Sequence, residues 1–315
     1  MLFIKIYNIF KNLKTPIGNE KDLYKAEVIE DSSHRIAINQ ENQLTLLLKT
    51  IDTLSIEPRS FTNLEIRHSV ECSIEKETNS KEKETFTIIV FKNKDDDLIK
   101  RFLELITLML DNFKNEISTD DIEKFVEELI EIFKPEEKIS KTTLIGLIGE
   151  LIIIYISDNK DELINAWHTR NSENFDFYKE NVALEIKSTL KNTRIHTFKI
   201  NQLYNPKITI FIGSILIKEK INGINIDEIC SYIKSSIKDK DIEKKFITKL
   251  YKVIKTSSVN DFEIDLNYSK NNFLIYDAEY IPKITDAPLG VTEVKFNSDL
   301  TFINPSKESL NNLFV

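Results

Sequence analysis

The stretch NFDFYKENVALEIKS, residues 174–188, places Asp176, Glu185 and Lys187 among apolar neighbours. Two carboxylates suffice to hold a hard divalent cation such as Mg²⁺, which keeps several waters and takes phosphate oxygens as further ligands. An ammonium beside such an ion can hold an attacking water or stabilise charge developing on a phosphate. The spacing suits a hairpin. In VALEIK, strand alternation puts Val182, Leu184 and Ile186 on one face and Ala183, Glu185 and Lys187 on the other. If a two-residue turn at Glu180 and Asn181 joins the arms, Asp176 faces Glu185, Phe177 faces Leu184 and Phe175 faces Ile186. Carboxylates directly opposite repel unless a cation lies between them.

The elements around this stretch must position it. Upstream, LIGLIGELIIIYI (144–156) is apolar on nearly all sides, as a buried helix is, and Glu150 is its one charged residue. A buried carboxylate needs a cation or hydrogen-bond donors, so Glu150 joins the candidate set. Gly146 and Gly149 each give up about 1 kcal/mol of helix propensity relative to Ala, which predicts close packing against a neighbouring backbone. Downstream, Ile186 to Lys218 contains no Asp or Glu. Lys191, Arg194 and Lys199 there are expected to approach phosphates, although a core strand at ITIFIGSILI would lack acids in any case.

The bland alternative is a solvated hairpin face. Glu-X-Lys also occurs at Glu136/Lys138, Glu243/Lys245 and Glu293/Lys295, the last with Asp286 nearby in a Pro- and Gly-containing loop. His34, His68, His168 and His196 show no ligand spacing, Trp167 and Tyr155 read as core, and no Gly-rich phosphate loop is present. Cys72 and Cys230, the two cysteines, are far apart, which argues against a disulfide framework and points to a reducing compartment, the cytoplasm. The first residues, MLFIKIYNIFKNLK, lack the form of a secretory signal, and the longest apolar run is too short to span a bilayer, so no membrane segment is expected. A net charge of −8 argues against wrapping of nucleic acid by the whole surface.

Length and patterning predict a mixed α/β chain, α+β overall, in three parts. Residues 1–138 form a β-rich domain with strands at HRIAI, LTLLL, TNLEIRHSV and TFTIIVF, then two helices. The first helix has its apolar face at Leu98, Phe102, Leu105, Ile106, Met109 and Phe113; the second runs from about 121 to 133 behind a cap at Asp120. Residues 139–218 form the core, and 219–315 an α+β extension packed on it, with helices near 226–237 and 241–254 and strand-like runs at 262–267, 272–280 and 290–300.

A helix with an acid, a hairpin carrying Asp and then Glu-X-Lys, and a following Gln-bearing helix resembles the PD-(D/E)XK nuclease superfamily. Asp176, Glu185 and Lys187 fall on its signature positions, Glu150 on the core-helix acid and Gln202 of INQLY on a polar residue often found on the next helix. Phe175 stands where the usual Pro would be. GLIGEL, Trp167, FDF, LEIKST, NQL and LGVTEVKF together resemble PD-(D/E)XK proteins of bacterial phage-defence and restriction gene clusters. The resemblance implies a restriction-endonuclease-like core, a mixed four-stranded sheet flanked by helices, and Mg²⁺-dependent DNA endonuclease activity with Mn²⁺ as a substitute. It implies metal ligation by Asp176, Glu185 and the Ile186 carbonyl, catalysis by these acids with Lys187 and Glu150, and DNA contact by Lys191, Arg194, Lys199 and Gln202. Expected partners are DNA and other defence proteins, with a homodimer the simplest way to cut both strands. The alternative is a nuclease-fold subunit that binds DNA or partner proteins without cutting.

Overall fold

In the first part of the chain a sheet closes into a ring through a second pairing of its first strand. The computed structural model describes residues 2–314 apart from 31, 53, 55, 77–79, 112, 114, 136–138, 168–174 and 255–261. The chain divides into two compact units, residues 1–138 with 250–257 and residues 139–249 with 258–315.

The first unit opens with helix α1 (Leu2–Asn12), where the sequence reading expected only strands and turns. Strands β1 (Leu23–Val28), β2 (Arg35–Asn39), β3 (Leu44–Leu48), β4 (Arg59–Ser60), β5 (Leu64–Glu75) and β6 (Lys81–Phe91) follow in the sheet order β1-β2-β3-β6-β5-β4. The ring closes because β1 pairs antiparallel with β2 and also parallel with the far end of β5. A register shift between Arg67 and Val70, with Ser69 at a positive φ of 52°, bends β5 enough to serve both ends of the sheet. Tyr24, Ala37, Leu47, Cys72, Phe86, Ile88 and Val90 fill one buried cluster of this unit. Every residue of β3 is buried, so LTLLL does not alternate in hydrophobicity as a half-exposed strand would.

Helices α2 (Asp96–Leu110) and α3 (Thr119–Phe133) meet β6 through the stacked and edge-on rings of Phe91, Phe102 and Phe133. The cap of α3 is Ser118, whose hydroxyl accepts from the Asp121 N–H; Asp120 lies inside the first turn rather than at the expected cap. Glu123 and Glu127 of α3 pair with Arg59, so part of its acidic face is neutralised within the unit.

In the second unit, α4 (Lys141–Ile156) and α5 (Lys160–Ala166) precede a hairpin of β7 (Phe177–Lys179) and β8 (Val182–Thr189). Then come β9 (Ile195–Lys199), a 3₁₀ turn at Ile200–Gln202, β10 (Thr209–Leu216) and β11 (Glu219–Ile224). Helices α6 (Ile226–Ser236), α7 (Lys240–Val253) and α8 (Leu266–Asn271), strands β12 (Phe273–Asp277) and β13 (Lys295–Asp299), and helix α9 (Leu310–Leu313) complete the chain. The run at 262–267 departs from the strand expectation: Asp265 accepts from the Tyr268 N–H and starts α8.

The mixed four-stranded sheet has the order β12-β10-β8-β7, with β8 and β10 parallel and the outer pairs antiparallel. Its β12 edge comes from the C-terminal segment, so the sheet extends beyond residues 139–218. One face of β8 carries Ile186 and Ser188 toward α4. On the other, Ala183 joins Phe175, Phe198, Ile210, Ile212, Tyr276 and Leu300, the cluster to which the β9–β13 ribbon contributes.

The glycines of α4 differ in what surrounds them. A Cβ on Gly149 would lie 3.0 Å from the Ser188 Cβ and 3.3 Å from the Ile186 Cγ2, so glycine lets the helix approach β8, through side chains rather than backbone. Gly146 has nothing within 4 Å of its Cβ position, contrary to the close packing expected there. Gly146→Ala should therefore raise stability by about 0.5–1 kcal/mol. Gly149→Ala should lower it by about 1–3 kcal/mol through overpacking. Urea midpoints measured on both variants check the opposite signs.

Candidate metal centre

The β7–β8 register pairs Phe177 with Leu184, Tyr178 with Ala183 and Lys179 with Val182, the expected alignment for a turn at Glu180 and Asn181. Glu180 supplies the turn with a positive φ of 56°. Regular pairing ends at Phe177, and the two expected pairs beyond it do not form. Phe175 turns instead into the cluster around Ala183, away from Ile186. Asp176 takes the vacated ladder position with its side chain: its carboxylate accepts the Ile186 N–H at 2.7 Å. An extended residue points its N–H and C=O to the same edge, so the Ile186 carbonyl is turned toward the Asp176 side.

Glu185 is buried at 6% exposure. Its Oε1 accepts from the Lys187 Nζ at 2.8 Å and from the Gln202 side-chain amide. Gln202 in turn accepts from Lys187 at 3.2 Å and from the Lys199 backbone N–H at 3.0 Å. Glu150, on the turn of α4 held close to β8, accepts from the Trp167 indole N–H at 2.5 Å and lies 3.5 Å from the Lys249 Nζ.

Two members of this group were not anticipated. Trp167 is core, fully buried, but it also supplies a donor. Lys249 of α7 sits with its ammonium 3.8 Å from the centre of the Trp167 ring. Its one sequence signal is position: it interrupts the apolar face on which Phe246 and Leu250 are buried.

The remaining expected contacts separate into exposed and internal groups. Lys191 and Lys199 are exposed. Arg194 is not: at 8% exposure, its guanidinium donates to the Ser214 carbonyl and hydroxyl and to the Asn272 carbonyl. Those acceptors sit on and beside the sheet, so Arg194 ties the ribbon to β10 and β12 rather than meeting phosphate. Gln202 is likewise turned into the site and spends its amide there. His196 is buried against the Ser214 hydroxyl, while His34 and His68 bond the Phe113 carbonyl and Glu123, all structural roles. His168 and the Glu136/Lys138 pair lie outside the described residues. Asp286, Glu293 and Lys295 are all exposed, whereas Glu185 is buried and Glu150 and Asp176 are half-buried.

Burial, followed by the negative charge of Asp176, pushes Glu185 up to about 8 against the opposing pull of Lys187. The same two causes push Glu150 up to about 7, opposed by Lys249 and the Trp167 hydrogen bond. Among the described residues no three His, Cys, Asp or Glu side chains form a cage for an ion. The donor set present fits a hard cation that brings its own waters: two hairpin carboxylates in mutual repulsion, with a carbonyl turned to the same edge.

Both glutamates titrate above their ordinary value of 4.5. Protonation therefore favours the fold, and that stability is lost as pH rises from about 4.5 through about 8. Chemical unfolding in EDTA should show this decline, and Glu150→Gln/Glu185→Gln should flatten it. Mg²⁺ or Mn²⁺ should restore stability chiefly at the alkaline end, with proton release on binding, seen by calorimetry in buffers of different ionisation enthalpy. A flat wild-type profile would sink this account of the site.

No curated protein and no solved structure matches the chain. A family model described as "Putative PD-(D/E)XK family member, (DUF4420)" matches residues 6–301. The match takes in the barrel-like first unit as well as the carboxylate-bearing hairpin, and the chain belongs to this PD-(D/E)XK family.

Proposed function

We propose that the protein is a metal-dependent DNA endonuclease that hydrolyses phosphodiester bonds, acting in the cytoplasm as part of a bacterial restriction or anti-phage system. The observation that carries this reading is the meeting of Asp176, Glu185 and Lys187 at the edge of a mixed sheet, with Glu150 brought alongside by Gly149. Asp176, Glu185 and the Ile186 carbonyl would hold Mg²⁺, or Mn²⁺ in its place. Such an ion lowers the pKa of a bound water and offsets charge on the phosphate oxygens.

The chain's own residues then have separable tasks. Lys187, fixed by Glu185 and Gln202, holds the attacking water or meets negative charge developing on the phosphate. Asp176 grips the Ile186 N–H and so fixes the hairpin edge on which the carbonyl lies. Glu150 adds negative potential to the site, and Lys249 with Trp167 holds its carboxylate in place. Two buried cysteines, Cys72 and Cys230, fit a reducing compartment, and no described helix is long and apolar enough to cross a membrane.

A second reading, a nuclease-fold subunit that binds without cutting, is favoured by one observation: Glu185 is already engaged by both Lys187 and Gln202. Plasmid and phage DNA incubated with Mg²⁺, Mn²⁺ or EDTA separates the two. Glu185→Ala and Lys187→Ala should each lower metal-dependent cleavage by about 10²-fold or more. Unchanged cleavage in these variants removes the assignment, and DNA binding without cleavage under all metals, with partner proteins added, supports the second reading. Lys249→Met should move the pH dependence of cleavage upward, because Glu150 loses the cation that favours its ionised form, whereas Lys249→Arg should retain the wild-type profile.

A further inference from the structure

We infer that the ribbon of β9 and β13 is the surface that carries the phosphate backbone of duplex DNA beside the candidate metal centre, with Lys199 and Lys295 as a paired phosphate clamp. The inference rests on the nuclease reading above. Burial alternates along the ribbon: His196, Phe198 and Ser298 face inward, while Ile195, Thr197 and Lys199 on β9 and Lys295, Asn297 and Asp299 on β13 face outward. The antiparallel register sets Lys295 directly across from Lys199 and Asn297 across from Thr197, whose hydroxyl donates to the Asn297 side chain at 2.7 Å.

Like charges directly opposite on one face of a strand pair destabilise it. Among the described residues neither lysine has a carboxylate within ion-pair distance. The first unit handles its strand cations differently: Lys81 pairs with Glu20, Lys83 with Glu71, and Arg35 with Glu84. In a chain with 51 acidic and 43 basic residues, two opposed lysines without an acid mark a place where an external anion supplies the counter-charge.

Position argues for the substrate as that anion. Lys199 is followed at once by the turn Ile200–Gln202, whose Gln202 touches both Glu185 and Lys187 and accepts the Lys199 N–H. The lysine end of the ribbon is therefore the end anchored to the site, while Asp299 lies at the other end across from Ile195. Thr197 and Asn297 extend the lysine pair with neutral hydroxyl and amide groups of the kind that bond phosphate oxygens. A protein partner would need a desolvated aromatic or aliphatic anchor, and this outward row offers only Ile195. A two-stranded ribbon is also narrow enough to enter the major groove.

Fluorescence anisotropy with labelled duplexes of several sequences, in EDTA over a salt series, tests the clamp without cleavage. Lys199→Gln and Lys295→Gln should each reduce the slope of log K against log salt by about 0.9, and the double variant by roughly twice that, similarly for every sequence. Lys295→Glu should raise Tm by forming a cross-strand ion pair with Lys199 while weakening DNA binding, opposite signs that a purely structural lysine would not give. An unchanged slope in the double variant, with wild-type protein that binds and cuts, overturns the clamp and leaves the nuclease reading standing. An equal slope loss in the charge-matched control Lys14→Gln/Lys94→Gln also overturns the clamp. Failure of wild-type protein to bind any duplex at low salt overturns both.

Discussion

Mutual repulsion among Asp176, Glu185 and Glu150 is the constraint around which the second unit is arranged. Burial and the Asp176 charge both disfavour ionisation of the two glutamates. Each has its own counter-cation, Lys187 for Glu185 and Lys249 for Glu150, and each has a neutral donor as well, Gln202 and Trp167 respectively. A buried carboxylate stripped of these partners would bear the full cost of desolvation. The elements that supply them, α4, α7, the Trp167 segment, β8 and the turn after β9, must therefore converge.

The convergence depends on short-range geometry. Gly149 permits α4 to close on Ser188 and Ile186, which brings the following residue, Glu150, beside the hairpin. Arg194 performs a comparable task on the other face: three hydrogen bonds to the Ser214 carbonyl, the Ser214 hydroxyl and the Asn272 carbonyl fasten the segment leading into β9. With that segment fixed, the turn at Ile200–Gln202 is delivered to Glu185. Arg194 shows why a basic residue in an acid-free segment is not by itself a phosphate contact. A guanidinium with five donors is equally suited to saturate backbone carbonyls inside a fold.

Repetition of a motif in sequence carries little information without burial. Asp286, Glu293 and Lys295 copy the types found at 176, 185 and 187, yet they stand in solvent, and Lys295 enters an outward row of β13. Solvent screens the Asp286 and Glu293 carboxylates and relieves them of any need for a metal close by. Glu185, with the same spacing to its lysine, has no such relief.

By itself the sequence determined the parity of VALEIK, the 177-to-184 register, the buried character of α4 and the membership of Glu150 in the acidic group, because alternation, turn length and helical period are local properties of the chain. The tertiary structure decided what the local pattern could not reach. Strand pairing stops at Phe177, so Asp176 meets a backbone N–H instead of standing in a regular pair opposite Glu185. Lys249 arrives from α7, the β12 edge of the sheet from the C-terminal segment, and Lys295 from β13, each across a long interval of chain. Such contacts follow from packing one apolar face against another, and no spacing within either segment encodes which partner it will meet.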